Sequence, residues 1–394
     1  MEKQIGLRVG IVGVGNMGFA HASCIFRQEI KGMTLSAVCD TDAGKRQRAA
    51  EHFKGIPMYS DYDEMFCQEA LDAVIIATPH PIHGQIALRA FARGLHVLVE
   101  KPADISVAAA EQMNRAAGES GKVFGIMFNQ RTNPLFQKAR QFIQDGEIGS
   151  LKRSSWTITN WYRPQSYYDS GSWRATWAGE GGGVLINQAP HNLDLWQWLC
   201  GMPTGITAFC DTARYHHIEV EDNVTIFARY ANGATGTFIT STGEFPGTNR
   251  LEICGSRGKI VLEEGKLKLW QFENDEREFC FQENISPDSI PVRYQEYEAD
   301  RPETAHRGIL QNFTDAILHG APLLAEGREG IHSLMISNAA YLSQWKGNCE
   351  IPLPIDPAEF NIFLEKKQKQ SLFRETKEEA GNDGSYKKRW QVRW

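Results

Sequence analysis

Three glycines near the start of the chain have a spacing that suits contact with a pyrophosphate. Gly13, Gly15 and Gly18 follow the short apolar run 9–12 and open a helical pattern. In such a strand–turn–helix unit the first glycine permits the tight turn, the second lets a pyrophosphate approach the backbone, and the third lets helix and strand pack closely. The helix would offer free N–H groups and its positive dipole end to the anion.

A second apolar run, residues 35–39, ends in Asp40. A carboxylate at this point can accept hydrogen bonds from the adenosine ribose hydroxyls and repel a 2′-phosphate, which predicts NAD as cofactor, with NADP less favoured. In a chain with 36 glycines the spacing alone could also mark a turn without a ligand. The strand, helix and acidic residue around it favour a dinucleotide.

Residues 160–177 concentrate aromatic and cationic side chains: Trp161, Tyr162, Arg163, Tyr167, Tyr168, Trp173, Arg174 and Trp177. Sugars present apolar C–H faces and many hydroxyls, which suit aromatic rings with polar tips. The segment therefore predicts sugar contacts. A subunit interface or a core cluster is the alternative, because aromatic residues and arginine also mark interfaces.

The elements that position these residues alternate between strand and helix over the first third of the chain. Further apolar runs at 73–77, 96–99 and 123–127, with helical patterns between them, predict a doubly wound parallel sheet. Ligands of such sheets bind beyond the carboxyl ends of the strands. Three motifs fall there: residues 13–18, residues 78–83 (TPHPIH) and residues 100–102 (EKP).

From residue 151 onward, successive strand patterns joined by short turns predict an α+β domain with a large open antiparallel sheet. Asn232–Gly233 predicts a type I′ hairpin, and helices predicted at 307–319 and 327–346 are expected to pack on this sheet. We thus expect a Rossmann domain over 1–130, a substrate and oligomerisation domain over 131–365, and a charged C-terminal tail over 366–394.

Composition limits the classes of partner. The chain has 394 residues, a net charge of −6 and no long basic run, which argues against nucleic acid. No apolar run approaches the ~20 residues of a membrane span. Eight scattered cysteines without a C-x-x-C pair indicate reduced thiols and a cytoplasmic location. His80 and His83 lack an identifiable third ligand, so no metal site is predicted.

Four motifs in this order, GIVGVGNMG, ATPHPIH, EKP and GGGVLINQAPHNLD, resemble the glucose–fructose oxidoreductase / inositol dehydrogenase (Gfo/Idh/MocA) family. The resemblance extends over about residues 5–345. It implies a Rossmann domain followed by an open antiparallel sheet, NAD or NADP, and hydride transfer at a secondary hydroxyl of a sugar, glycoside or cyclitol. A homo-oligomer, either a dimer or a tetramer, is expected as well.

The resemblance makes Lys101 of the EKP motif the catalytic lysine, with the peptide bond before Pro102 expected to be cis. An ammonium at this strand end can donate to the reacting hydroxyl oxygen and stabilise the alkoxide-like charge that builds as hydride leaves. A solvated surface lysine is the alternative interpretation.

In the last motif His191 is the candidate general base, since neutral imidazole is suited to accept a proton near neutral pH, and Asp194 could orient it. A structural histidine is the alternative. Asn187 replaces the family's usual aspartate; it cannot take a proton but can hydrogen-bond a substrate hydroxyl. If the helix begins at Pro190, Asn187 lies just ahead of it.

The expected function is an NAD-dependent oxidoreductase acting on a carbohydrate or cyclitol. An NAD-recycling glycosidase or epimerase that passes through a keto-sugar, and a non-catalytic regulator that binds dinucleotide and sugar, are the alternatives. Catalytic roles are expected for Lys101, His191 and Asn187. Cofactor contacts are expected at Gly13, Gly15, Asn16, Met17, Gly18, Asp40, Thr78, Pro79, His80, His83, Glu100 and Lys101. Substrate contacts are expected at Lys101, Tyr162, Arg163, Tyr168, Trp173, Arg174, Asn187 and His191.

Overall fold

The computed structural model describes residues 6–372. Within them the chain forms two compact units. The first runs up to Thr132 and includes the later segment Thr304–Leu334, whereas the second contains Asn133–Glu303 and continues from Met335. The return of the chain to the first unit was not part of the sequence-based division.

The strands, in chain order, are β1 (Leu7–Val12), β2 (Met33–Cys39), β3 (Met58–Tyr59), β4 (Ala73–Ile76), β5 (His96–Val99), β6 (Phe124–Ile126), β7 (Leu151–Ile158), β8 (Gly205–Thr212), β9 (Glu221–Arg229), β10 (Thr235–Ser241), β11 (Asn249–Gly255), β12 (Gly258–Glu263), β13 (Lys266–Phe272), β14 (Val292–Glu298) and β15 (Ile351–Pro352). The helices are α1 (Asn16–Phe26), α2 (Ala43–His52), α3 (Tyr62–Gln68), α4 (His83–Ala92), α5 (Val107–Ser120), α6 (Pro134–Gln144), α7 (Gln165–Asp169), α8 (Pro190–Cys200), α9 (Glu276–Cys280), α10 (Ala305–His319), α11 (Gly330–Trp345) and α12 (Pro357–Lys369).

The first unit contains a six-stranded parallel sheet in the order β3-β2-β1-β4-β5-β6. All residues of β4 are buried, as expected for a parallel strand covered by crossover helices on both faces. The chain winds outward in both directions from β1, so a crevice opens at the carboxyl ends of β1 and its neighbours. The predicted doubly wound fold is confirmed.

The second unit contains a nine-stranded sheet in the order β14-β13-β12-β11-β7-β10-β9-β8-β15. Most neighbours are antiparallel, but β7 and β10 run parallel, so the predicted antiparallel sheet is in fact mixed. Strand β7 lies between β10 and β11, and no hairpin joins it to β10. Its direction is therefore set by a long connection, which carries no local sequence signal.

The β9–β10 hairpin forms at the predicted place with a different turn. A type I′ turn needs positive φ at both central residues, but here Gly233 has φ +84° while Asn232 is not among the residues with positive φ. Gly233 N donates to Tyr230 O at 3.0 Å, and Tyr230 N donates to Ala234 O at 3.0 Å. One left-handed glycine closing a three-residue loop therefore replaces the predicted turn.

Helix α10 belongs to the first unit, whereas the sequence analysis grouped it with the second. Gln311 of this helix bonds both main-chain groups of Lys31, at 2.9 Å to its N and 3.2 Å to its O. The predicted tail from residue 366 begins inside α12, and residues 373–394 lie outside the described residues. Within residues 6–372, no helix has the length and apolar character needed to cross a bilayer.

Candidate active site

The glycine loop between β1 and α1 has the shape of an anion cradle. Gly13 has φ +89°, and a Cβ there would lie 2.5 Å from Ala77 O. A Cβ at Gly18 would lie 1.8 Å from Gly13 O, whereas one at Gly15 would meet no atom within 4 Å. Gly15 caps α1 without a side-chain hydrogen bond. The cradle is therefore open in front of the helix N-terminus, where a pyrophosphate would bind.

Asp40 is fixed beside this loop at the end of β2. Its Oδ2 accepts from Val14 N at 2.8 Å, and its Oδ1 accepts from Asp42 N at 2.9 Å. The guanidinium of Arg46 donates to the main-chain oxygens of Asp40 and Thr41, at 2.7 and 2.9 Å. The carboxylate is thus held beside the glycine loop at the end of β2, and its contact with an adenosine ribose stays a prediction.

Buried acceptors without a partner follow two of the neighbouring strand ends. The ends of β4, β5 and β6 are in register, with Ile76 opposite Val99 and Val99 opposite Ile126. Among the described residues, Oγ1 of Thr78, Oδ1 of Asn129 and Oε1 of Gln130 are buried without a hydrogen-bond partner. Because buried acceptors are normally satisfied, these atoms suit a ligand that carries donors. The residues present therefore fit a dinucleotide.

Asn129 and Gln130 were missed in the sequence analysis. Gln130 is 5 % exposed and belongs to the short 3₁₀ turn Asn129–Thr132, which begins three residues after the last residue of β6. The only sequence signal for this pair was its position after the last parallel strand. The other predicted cofactor contacts in the first unit differ in exposure: Asn16 and Pro79 are exposed, Met17 is half-buried and His80 is buried.

Lys101 follows β5 in a turn that is held by Glu100. Glu100 Oε1 lies 2.7 Å from His21 Nε2, and Glu100 Oε2 accepts from Lys101 N at 3.2 Å. Burial by itself raises the pKa of Glu100, but the His21 hydrogen bond and the charges of His21, His306 and Lys101 outweigh it and lower the pKa to about 2. A carboxylate therefore adjoins Lys101, and the Lys101–Pro102 peptide bond is cis.

His83 has no exposed surface. Its Nδ1 lies 2.9 Å from Pro102 O and its Nε2 lies 2.8 Å from Thr78 O. The ring therefore has no surface of its own for a cofactor. It instead contacts the carbonyls of Pro102 and Thr78, which lie at the edge where the cofactor is predicted to bind. His80 lies beside it, with the two ring centres 6.0 Å apart.

In the second unit, α8 begins at Pro190 and leaves Asn187 in the preceding turn. His191 lies in the first turn of α8 and is largely buried. Asp194 Oδ1, one turn further on, accepts from Gln197 Nε2 at 3.0 Å. Asn187 and His191 are therefore held by a turn and a helix respectively, and not by one continuous helix face.

A carboxylate that the sequence analysis missed lies next to Asn187. Asn187 Nδ2 donates to Glu180 Oε1 and, at 3.3 Å, to Tyr167 Oη. Glu180 is 2 % exposed, and its Oε2 accepts from Ala175 N at 2.6 Å. Glu180 directly precedes the three glycines of the motif, which was the only signal available for it.

The aromatic segment has a packed part and an exposed part. The guanidinium carbons of Arg163 and Arg174 lie 5.1 and 4.6 Å from the centre of the Tyr167 ring. Arg174 Nη1 donates to Tyr167 Oη at 3.0 Å. Tyr168 is buried, with its hydroxyl 2.8 Å from Thr242 Oγ1, and burial raises its pKa.

The exposed part includes Tyr162, which is 44 % exposed with its ring 5.7 Å from that of Phe245. Trp173 is half-buried, and the Arg174 guanidinium carbon lies 4.6 Å from its ring centre. The segment therefore offers both held cationic groups and accessible aromatic surface within the second unit.

The three glycines ahead of Asn187 are packed against protein atoms. A Cβ at Gly182 would lie 2.2 Å from Tyr341 Oη, and one at Gly183 would lie 1.9 Å from Glu221 O. The buried Glu221 carboxylate accepts from the N–H groups of Gly183 and Leu185, both with contacts of 3.0 Å, and from the Tyr341 hydroxyl at 2.7 Å. Burial raises the pKa of Glu221 to about 7.

A Rossmann unit with an open glycine cradle, followed by a unit built on a mixed sheet, defines a two-domain dinucleotide-binding protein. Two family profiles match the chain: "Oxidoreductase family, NAD-binding Rossmann fold" over residues 7–128 and "GFO/IDH/MocA C-terminal domain" over residues 136–261. The chain belongs to the GFO/IDH/MocA family. The predicted family and the NAD-binding Rossmann domain are thereby confirmed.

Two characterised relatives and one solved structure illustrate the similarity. The chain is 26 % identical over 268 residues to scyllo-inositol 2-dehydrogenase (NAD(+)) of Bacillus subtilis, covering 66 % of this chain and 75 % of that protein. It is 27 % identical over 289 residues to levoglucosan dehydrogenase of Pseudarthrobacter phenanthrenivorans, covering 65 % and 73 %. The WlbA dehydrogenase from Bordetella pertussis, in complex with NADH and UDP-GlcNAcA, has a TM-score of 0.74 at 26 % identity, covering 89 % of this chain and 100 % of that chain.

Proposed function

We propose that this protein is an NAD-dependent dehydrogenase that takes hydride from a secondary hydroxyl of a sugar, glycoside or cyclitol. The observation that carries the proposal is the position of Lys101 at the end of β5, between strand ends that present unsatisfied buried acceptors. The inositol and levoglucosan dehydrogenases among its relatives support the substrate class.

Bound NAD supplies the hydride acceptor. We assign the remaining roles to side chains of this chain. Lys101 donates a hydrogen bond to the reacting oxygen and stabilises its developing negative charge. His191 accepts the hydroxyl proton, and Asn187 hydrogen-bonds a neighbouring hydroxyl. Sugar contacts are assigned to Tyr162, Trp173 and Arg174, whereas the buried Arg163 and Tyr168 would support this surface from within the segment.

The test is a screen of monosaccharides, glycosides and inositols for NADH absorbance, followed by single-turnover kinetics on the best substrate. Lys101→Ala and His191→Ala should each lower the rate by about 10²–10⁴-fold while NAD affinity stays nearly unchanged. Wild-type rates in both variants would contradict the mechanism and favour a regulator. Substrate conversion without net NADH would instead indicate an enzyme that recycles its cofactor.

We also propose that NAD is preferred to NADP, because the fixed carboxylate of Asp40 would repel a 2′-phosphate. Titration of both cofactors by tryptophan fluorescence checks this directly. Asp40→Ser, which removes the charge and keeps an acceptor, should narrow the difference between the two affinities. Tighter binding of NADP by the wild-type protein would remove the assignment.

A homo-oligomer, dimer or tetramer, in the cytoplasm completes the proposal, and light scattering measures the assembly. Trp173→Ala separates the two interpretations of the aromatic segment. If the segment contacts sugar, this variant should weaken substrate use while NAD binding and molecular mass are unchanged. A fall in mass would favour the interface interpretation.

A further inference from the structure

The two chain neighbours of Lys101 are each held by a different buried histidine. Glu100, on one side, contacts His21 of helix α1, and Pro102, on the other side, contacts His83 of helix α4. His21 is 1 % exposed and His83 has no exposed surface, so neither ring presents a surface of its own to a ligand. Both histidines instead contact the turn that carries Lys101.

On the Glu100 side, the contact passes through a carboxylate with both oxygens in use. Oε1 lies 2.7 Å from His21 Nε2, and Oε2 accepts from the main-chain N of Lys101 at 3.2 Å. His21 therefore fixes the orientation of the carboxylate, and the carboxylate fixes the peptide N–H of Lys101. Hydrogen bonds to an ionised group are stronger than neutral ones, which suits this task.

On the Pro102 side, both ring nitrogens of His83 face carbonyl oxygens, Nδ1 that of Pro102 and Nε2 that of Thr78. Burial lowers the pKa of His83, and the hydrogen bonds to these two carbonyls oppose that shift. The Pro102 contact is fully buried, whereas the Thr78 contact is only partly so. A buried carbonyl without a donor is the costlier one, so the proton that this turn requires is the one on Nδ1, donated to Pro102 O.

We propose that His21 and His83 are positioning residues that fix the main chain on both sides of Lys101, so that its ammonium is held at the reacting oxygen. This inference rests on the proposed function, because it assumes that Lys101 acts in the chemical step. A misplacement of about 1 Å at a reacting group can cost about 100-fold in rate, so a fixed turn matters for catalysis beyond its effect on stability.

Amide substitutions test the two contacts separately. A glutamine places its side-chain nitrogen near the Nε2 position of histidine, and an asparagine places it near Nδ1. His21→Gln and His83→Asn therefore keep the donor proposed to matter, whereas His21→Asn and His83→Gln remove it. Glutamine is thus the conservative replacement for His21, and asparagine is the conservative replacement for His83. At each site the conservative variant is the control for the disruptive one.

We expect His21→Asn and His83→Gln to lower the single-turnover rate by about 10–100-fold, with NAD affinity and substrate KM within about twofold of wild type. The matched His21→Gln and His83→Asn should stay within about threefold. Wild-type rates in all four variants would overturn the proposal. So would equal losses in both members of each pair, or loss of the cooperative thermal transition, since either makes the histidines merely structural.

Lys101→Ala, measured alongside, separates this inference from the proposed function. If it loses activity and the four histidine variants do not, only the positioning role is contradicted. If Lys101→Ala itself retains the wild-type rate, the proposed function fails first.

Discussion

The molecule contains two turns with three glycines each, one in each unit, and they serve opposite purposes. In the first, residues 13–18, a Cβ at the central Gly15 would meet no atom within 4 Å. In the second, residues 181–183, the central position is filled, since a Cβ at Gly182 would lie 2.2 Å from Tyr341 Oη, and one at the next residue, Gly183, would lie 1.9 Å from Glu221 O. One turn leaves room for an anion, and the other is packed against the protein.

The difference lies in what satisfies the backbone N–H groups. Successive N–H groups in a turn form a site that favours negative charge. In the second turn that charge is internal, because the Glu221 carboxylate accepts from Gly183 and Leu185. In the first turn Asp40 accepts from Val14 N, but no side chain caps the N–H groups that begin α1. Whether a glycine-rich turn binds a ligand therefore depends on whether a protein carboxylate already occupies its N–H groups.

Gly183→Ala should give the largest effect on stability. Its new Cβ would collide with main-chain atoms of β9, and we expect a loss of about 3 kcal/mol or more in the free energy of unfolding. Urea unfolding measures this loss. Gly201→Ala, at a position with no atom within 4 Å but φ +80°, is the control for glycine strain without a collision. Equal losses in the two variants would contradict the packed turn.

Gly15→Ala should leave the stability nearly unchanged and weaken the binding of NAD. The new Cβ would enter open space, so the free energy of unfolding should stay within about 0.5 kcal/mol of wild type. NAD should bind about tenfold or more weakly, because the methyl group would occupy the path of the pyrophosphate. Fluorescence titration and urea unfolding report the two quantities. Unchanged NAD affinity would mean that the open space is not the cradle.

Glu221→Gln tests the internal anion through pH. Burial raises the folded-state pKa of Glu221 from its ordinary 4.5 to about 7, so its contribution to stability is full below about 4.5 and is lost as the pH rises through about 7. The midpoint of wild-type thermal unfolding should therefore fall relative to that of Glu221→Gln by about 2–4 °C between pH 5 and pH 8. A difference that is constant with pH would show that Glu221 does not titrate in this range.

Asn187→Asp should change activity least, by no more than about tenfold, or 1.4 kcal/mol. The new carboxylate would face the buried Glu180 carboxylate, and like charges in contact disfavour double ionisation. Adding Glu180→Gln restores one donor to the pair, so the double variant should recover thermal stability lost by Asn187→Asp alone. A double variant less stable than either single one would contradict the Asn187–Glu180 contact.

The features that the sequence could predict are those whose contacting residues lie close together along the chain. The glycine loop and the strands and helices of the parallel sheet depend on residues close together in sequence, and they are confirmed. The start of α8 at Pro190 was one of two possibilities that the sequence left open. The partner of His21 is 79 residues away, and Glu221 is 38 residues from Gly183. Such contacts depend on tertiary packing, as does the direction of β7, so no local pattern could indicate them.

Glu180 is an intermediate case. It lies only seven residues from Asn187, but the contact depends on how the glycine turn folds back, which local propensity does not define. The sequence shows that position 187 carries no carboxylate, but it could not predict that the Glu180 carboxylate lies beside it.

The return of the chain to the first unit at Thr304 has a consequence for synthesis on the ribosome. Arg131 is 1 % exposed, and its guanidinium donates to Leu324 O at 3.1 Å and to Glu329, which is 198 residues further along the chain. A nascent chain that ends before residue 304 lacks both of these acceptors, and it lacks α10, which packs on the 3₁₀ turn that carries Arg131. The unit whose synthesis begins first therefore cannot complete its packing until the segment Thr304–Leu334 has been made.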